Sequence, residues 1–231
     1  MSDPILITGC ARSGTSMVAG IINLSGAEGG AMTGPRDHNA KGQFENERIR
    51  GIVKAYLHDH NWDPMGQDPL PQIGRVFLHS GDPCRVGNWC DLITETMESQ
   101  SVDLEQPWFY KGAKMCLMWS LWDRAFPEAK WIIVRRDRPL IIESCLRTHF
   151  MRAYKDRSGW GGWVDQHIKR FDEMHETMTT RCRSVWSDQI VDGNFRGIES
   201  VVRWAGLEWS EDLVRGFVDP DLYTRTLEEV E

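Results

Sequence analysis

None of the six cysteines (Cys10, Cys84, Cys90, Cys116, Cys145, Cys182) forms a C-x-x-C pair, and none clusters with a histidine at ligand spacing. A zinc module or a disulfide framework would need such a pattern. Cys116 and Cys145 lie in apolar runs, where a free thiol packs as a small hydrophobe; reduced thiols and no metal are expected. Nowhere does the chain approach the ~20 consecutive apolar residues of a membrane span. The first strand is expected to open near Pro4, which leaves no room for a signal peptide, so a cytoplasmic protein without a membrane span is expected. A positive field is also lacking, since the net charge is −7 and the pI near 5.5. No global attraction then draws in nucleic acid or an anionic membrane, and any anion site must be assembled locally. Repeats, low-complexity segments and linker-like stretches are missing as well.

What is present fits one domain spanning 1–231. With 41% hydrophobic and 26% charged residues, a chain of 231 residues can bury a sizeable core. Eleven tryptophans are many for this length; most belong in a core or pocket wall, and a few can stack on a base or a sugar.

The stretch Ile5-Leu6-Ile7-Thr8-Gly9-Cys10-Ala11-Arg12-Ser13-Gly14-Thr15-Ser16 organises the rest. Its first residues read as a short buried strand, the chain then turns through Gly9 and Gly14, and Met17 to Leu24 follows as an apolar helix. Such a loop aims backbone N–H groups at one spot beside the positive end of a helix dipole. That is an anion site, most often for phosphate. The glycine spacing matches the frame G-x-x-x-x-G-K-S/T of nucleotide-binding P-loops, but Thr15 takes the lysine's place and the cation has moved forward to Arg12. The lysine normally reaches the β- and γ-phosphates while the next hydroxyl holds magnesium. Its loss disfavours ATP or GTP hydrolysis and leaves another phosphorylated nucleotide as the better ligand.

Further along, Asn46 opens a helix whose residues Ile49, Ile52, Val53, Tyr56 and Leu57 share a face. Ser25 to Gly34 and Asn61 to Gly74 read as irregular, and Val86 to Gln100 as another helix. Trp108-Phe109-Tyr110 is a second strand running into Lys111, and Met115 to Phe126 an apolar helix closed by Pro127. Lys130 to Val134 is a continuous apolar run, as in parallel strands covered on both faces. It discharges into Arg135-Arg136-Asp137-Arg138-Pro139 and a further helix. Arg147 to Trp163 mixes basic residues with Gly and Trp and is expected to form a mobile flap, freed by Gly159, Gly161 and Gly162. A long helix then runs from Trp163 to near Arg181. Ser184 to Trp186 is a last short strand, Asn194 to Ala205 a helix, and the tail beyond is partly helical at best. This alternation implies an α/β domain of three layers, a central mainly parallel sheet flanked by helices. Ligands bind beyond the carboxyl ends of the strands in such sheets, which sets the Gly9–Ser16 loop, Lys111 and Arg135–Arg138 on one rim.

Two of these segments resemble the sulfotransferases that use 3′-phosphoadenosine 5′-phosphosulfate (PAPS). Ala11-Arg12-Ser13-Gly14-Thr15-Ser16 is similar to that family's 5′-phosphosulfate loop, which has Lys or Arg before Ser-Gly-Thr. The second family signature is a strand ending in Arg, then Asp or Asn and Pro, with a Ser eight residues after the Arg. Arg136 and Ser144 keep that spacing, with Arg138 inserted before Pro139. Val185 to Trp209 resembles the family's closing strand–helix unit, whereas Asp59 to Gln106 carries no such likeness. The resemblance implies a P-loop sulfotransferase of the bacterial type. Arg12, Ser13, Gly14, Thr15 and Ser16 would bind the donor's 5′-phosphate, Arg136 and Ser144 its 3′-phosphate, and no metal is implied. By analogy with phosphoryl transfer, the protein's task is positioning and charge stabilisation.

An acceptor hydroxyl or amine must lose a proton, so a general base is expected near the sulfur. Glu45, in Gly42-Gln43-Phe44-Glu45, is the first choice, because several bacterial and carbohydrate sulfotransferases use a Glu after the first helix; the competing reading is a carboxylate in a helix's first turn. His38 is the second, with a pKa of about 6.5 that suits a base, or else a solvated loop histidine. Lys111 follows its strand as a lysine does in many bacterial relatives, with Gly112-Ala113 replacing Asp-Pro. It either contacts the sulfonate or the acceptor, or makes a structural ion pair. Arg135 and Arg138 either reach the donor or pair with Glu143 or Asp137. His149, Arg152 and Trp160 lie where family members cover the nucleotide; Trp160 and Trp163 are otherwise core anchors. Two other functions stay open: a P-loop kinase, needing magnesium and a carboxylate at a strand end, and a nucleotide-binding protein without catalysis. A small-molecule or carbohydrate-like acceptor is expected, with Asn61–Asp103 and the flap shaping its pocket, and no nucleic acid.

Overall fold

The structure, a computed structural model, describes residues 2–35, 40–72 and 83–223. Among these residues four strands form one all-parallel sheet in the order β2-β1-β3-β4: β1 (Ile5–Gly9), β2 (Phe109–Lys111), β3 (Lys130–Arg135) and β4 (Cys182–Trp186). All of β1 and the centre of β3 are buried, as strands covered on both faces require. Alternation divides their side chains. Leu6, Trp131 and Ile133 join one apolar cluster, and Ile5, Ile7, Ile132 and Val134 join the other.

The first cluster is covered by α2 (Glu47–Asp59), α3 (Pro83–Glu98), α4 (Trp119–Ala125), α5 (Arg138–Arg147) and α6 (Arg157–Thr177). The second is covered by α1 (Thr15–Leu24), α7 (Ser187–Val191), α8 (Arg196–Ala205) and α9 (Glu211–Phe217). The fold is therefore α/β, with helices on both faces of the sheet. α8 shows how the sequence selects its packing: Ile198, Val201, Val202 and Ala205 recur at helical spacing and are all buried. α2 is tied down at its start. The Asn46 side chain accepts the N–H of Ile49 at 3.3 Å, and its Nδ2 donates to the Gly29 carbonyl at 3.1 Å and to Gln100 Oε1 at 2.7 Å.

Of the expected flap, residues 148–156 are irregular and Arg157 to Trp163 is helix. α6 begins at Arg157, capped by Asp156, whose Oδ1 accepts from the Gly159 N–H at 2.8 Å. Trp160 and Trp163 are 0% and 2% exposed, edge to face with centroids 5.5 Å apart. A glycine in a helix interior costs roughly 1 kcal/mol relative to alanine, and burial of two indoles, roughly 150–250 Å² each, outweighs three of them. α6 also stops at Thr177, short of Arg181. The expected helix from Met115 to Phe126 is split into a 3₁₀ helix, Ala113–Met118, and α4. Met115 to Met118 are all buried, so no amphipathic stripe sets a 3.6-residue period there. α8 starts at Arg196, not Asn194.

Cys10, Cys90, Cys116, Cys145 and Cys182 are free thiols. Among the described residues no helix is long and apolar enough to cross a membrane, and no group of three or more His, Cys, Asp or Glu is placed to hold a metal ion.

Candidate functional site

The loop after β1 and the ends of β2 and β3 share the carboxyl edge of the sheet, since Gly9 pairs with Val134 and Ile7 with Lys111. Two glycines shape that loop. A Cβ on Gly9 would stand 2.6 Å from the Val134 carbonyl oxygen; Gly14 has φ of 87° and a Cβ there would stand 2.9 Å from Ser187 Cβ. Arg12 is left-handed too, with φ of 71°, a conformation that costs a residue with a side chain roughly 1–3 kcal/mol. Its contacts offset that strain. The Arg12 carbonyl accepts from Arg136 Nη1 at 2.8 Å, and Arg12 Nε donates to Ser144 Oγ at 3.0 Å. The loop and the Arg136–Ser144 signature are thereby joined directly. Burial, with Arg136 close by, lowers the Arg12 pKa from its ordinary value, and it stays a cation. Thr15 and Ser16 open α1, and N–H groups in a first turn have no acceptor inside their own helix. Ser13 turns inward: its Oγ is buried without a hydrogen-bond partner, 2.7 Å from where a Cβ on Gly9 would lie.

A cavity of about 150 Å³ lies over this loop, lined by Arg12, Gly14, Thr15, Arg136 and Ser144 and closed by Phe44, Phe217 and Tyr223. The Tyr223 ring lies 4.0 Å from the Arg136 guanidinium carbon, and its hydroxyl is hydrogen-bonded to that of Ser187. Asp188 Oδ1 stands 3.8 Å from Arg136 Nε, while Oδ2 accepts the Asp137 N–H at 3.0 Å. Arg135 and Arg138 turn away to α6. Arg135 Nη2 is 3.2 Å from Asp172, and Arg138 grips Asp165 through two bonds of 2.7 and 2.8 Å. The partners expected from sequence, Glu143 and Asp137, do not serve them; Glu143 pairs with Arg157.

A second cavity, about 240 Å³, adjoins the first, and Arg12, Thr15 and Ser16 line both. Glu45, 7% exposed, faces this second space. Its Oε2 is 4.0 Å from Lys111 Nζ and its Oε1 3.8 Å from Lys114 Nζ, and Oε1 makes no hydrogen bond. Capping of α2 falls to Asn46 and the first-turn carboxylate is Glu47, so Glu45 does neither. Burial lowers the Lys111 pKa; Glu45 opposes that shift, and Lys114 and Arg50 reinforce it.

Residues 4–211 match the model described as Sulfotransferase family. The chain belongs to the sulfotransferase family. No curated protein matches it. Among solved structures, its fold is similar to the sulfotransferase domain of the olefin synthase from Synechococcus PCC 7002, with 14% identity, a TM-score of 0.57 and coverage of 99% of this chain and 90% of that one. The sulfotransferase domain from the curacin biosynthetic pathway gives 12%, 0.53, 98% and 81%. Sulfotransferase STF1 from Mycobacterium tuberculosis H37Rv gives 14%, 0.51, 94% and 71%.

In this sulfotransferase, Arg12, Gly14, Thr15, Ser16, Arg136 and Ser144 meet at one cavity, and Glu45 and Lys111 at the adjoining one. His38 lies outside the described residues. His149 and Arg152 line neither cavity; Arg152 Nε donates to the His149 carbonyl at 2.8 Å. Trp160 sits in the core, and Trp163 walls the second cavity. Lys114, Asp188 and Tyr223 were not singled out from sequence. Lys114 left a trace three residues beyond Lys111, and Asp188 lies within Val185–Trp209, which resembled the family only as a whole unit; Tyr223 comes from a tail with no motif of its own.

Proposed function

We propose that this sulfotransferase takes its sulfuryl group from PAPS held in the first cavity and passes it in line to a hydroxyl or amine held in the second. The observation that carries this is the shared wall: Arg12, Thr15 and Ser16 line both spaces. The donor set also suits a nucleotide with phosphates at two ends. Arg12 and the first-turn N–H groups of α1 serve the 5′ end, and Arg136 with Ser144 the 3′ end. The two sets touch through the 2.8 and 3.0 Å bonds of Arg12.

When bound, PAPS supplies an activated sulfuryl group whose phosphate leaving group gains negative charge. Arg12 and the N–H groups of Gly14 and Thr15 neutralise that charge, as oxyanion donors do. Glu45 takes the acceptor's proton. Lys111 and Lys114, at 4.0 and 3.8 Å, hold the Glu45 carboxylate against the cavity wall. Tyr223 and Asp188 restrain the Arg136 guanidinium, which leaves less freedom to be lost when a phosphate binds. The kinase alternative needs a carboxylate at a strand end, and β1 to β4 end in Gly9, Lys111, Arg135 and Trp186.

Calorimetry in buffer without magnesium tests the reading. The desulfated product, 3′-phosphoadenosine 5′-phosphate (PAP), is expected to bind, and ATP to bind roughly tenfold or more weakly, the worth of one charge-assisted contact. ATP binding as tightly as PAP, or PAP binding only with magnesium, would overturn it.

A further inference from the structure

The second cavity carries more positive charge than sulfuryl transfer requires. The chain as a whole has net charge −7, yet Arg12, Arg50, Lys54, Lys111 and Lys114 all line this space. Among the described residues its one lining carboxylate is Glu45, already shared between Lys111 and Lys114. Arg50 and Lys54 sit four residues apart on α2, where like charges face the same side and weaken the helix. Arg50 is braced by Gln43 Oε1 at 3.3 Å and by Glu47 at 3.9 Å, so it is fixed at the rim. Burial lowers the Lys54 pKa, Lys114 and Arg50 push the same way, and Glu45 and Asp63 oppose them. Arg50 and Lys54 stand on α2, Lys111 ends β2 and Lys114 lies on the 3₁₀ helix after it, apart from Arg12, which bonds Ser144 and Arg136 on the donor side. An uncharged alcohol in this space would leave five lining cations facing one lining carboxylate, whereas an acceptor bringing its own negative charge would offset that excess.

We propose that the acceptor is a small alcohol or amine bearing a fixed oxyanion (a carboxylate, sulfate or phosphate ester), and that Lys54, with Arg50 and Lys114, binds that anion while the nucleophile meets Glu45. The inference rests on placing the donor in the first cavity. Lys54 is its specificity-determining residue, and the anion it holds is distinct from the group being transferred.

Selenate, a tetrahedral oxyanion with an anomalous signal, serves as the probe. It is soaked into crystals of the PAP-loaded protein and titrated into the same complex in solution. It is expected in the second cavity against Lys54 and Lys114. Lys54→Met should raise the selenate Kd roughly tenfold or more and empty the site in the crystal, Lys54→Arg should keep it, and PAP affinity should stay within about twofold of the unmodified protein. Selenate absent from the second cavity while PAP binds normally, or bound equally well by Lys54→Met, overturns the anionic acceptor. Selenate held there in a parallel titration of the PAP-free protein, while PAP itself fails to bind, overturns the donor reading alone.

Discussion

Arg136 donates to the Arg12 carbonyl at 2.8 Å and lies under the Tyr223 ring at 4.0 Å. A hydrogen bond to a charged group is worth about 1.5–3 kcal/mol, so Arg136→Ala should weaken PAP binding by about 10- to 150-fold. Arg136→Lys, which keeps the charge and loses the planar fork, should recover only part of it; calorimetry measures both, and an unchanged Kd in the alanine variant removes Arg136 from the 3′-phosphate. Glu45 offers a separate readout, because it lines the second cavity and not the first. Glu45→Gln keeps its shape and removes its basicity. Single-turnover rates should fall by about 10²–10⁴ while the PAP Kd holds; full turnover would pass the proton to another group. Arg12, Arg136 and Ser144 were legible as types at a spacing. Their contacts were not, because Arg12 and Ser144 stand 132 residues apart and no local pattern encodes their meeting.

Among the elements, strand, glycine loop and helix are the best specified. β1 is buried along its whole length and Gly14, in the left-handed region, immediately precedes α1, both consequences of residue type. Gly9 admits a sharp test, since a Cβ there would press on the Val134 carbonyl at 2.6 Å, and a strand backbone cannot step aside. Gly9→Ala is expected to destabilise by about 1–3 kcal/mol, read as a lower urea midpoint at unchanged slope. No shift would mean that β3 gives way. The stretch from Arg157 to Trp163 reads differently in sequence and in structure, and the reason is physical. Gly159, Gly161 and Gly162 lower helix propensity locally, but Trp160, Trp163 and Val164 share one buried face of α6. Tertiary burial outweighs propensity there. The Arg135 and Arg138 pairings were illegible for a related reason: Asp172 and Asp165 reach them only once α6 packs beside α5 and β3.

On the scale of the whole molecule, acid stability should report on the packing behind the second cavity. His167 lines that cavity, fully buried, with Nδ1 2.9 Å from the Trp163 carbonyl. Burial holds its pKa down from 6.5 to about 3. Between those values the unfolded chain binds a proton that the folded chain refuses, so stability present above pH 6.5 is lost as pH falls toward about 3. Urea unfolding across that window should show the loss, and His167→Gln should flatten it. An identical slope in the variant would assign the acid sensitivity elsewhere.

A resemblance to a family motif picked out Arg136 and Ser144; the sequence by itself determined the alternating strands and helices and the loop from Gly9 to Ser16. Each rests on periodicity or spacing within a dozen or so residues, where side-chain pattern and backbone geometry are directly coupled. Only the tertiary structure decided that α6 takes in Arg157 to Trp163 of the expected flap and that Asp188 and Tyr223 flank Arg136. It also decided that the phosphosulfate-like loop becomes a wall between two cavities, one of them ringed by cations from α2 and the turn after β2. Those features depend on segments far apart in the chain, brought together by burial of apolar surface, and burial records no address in the local sequence.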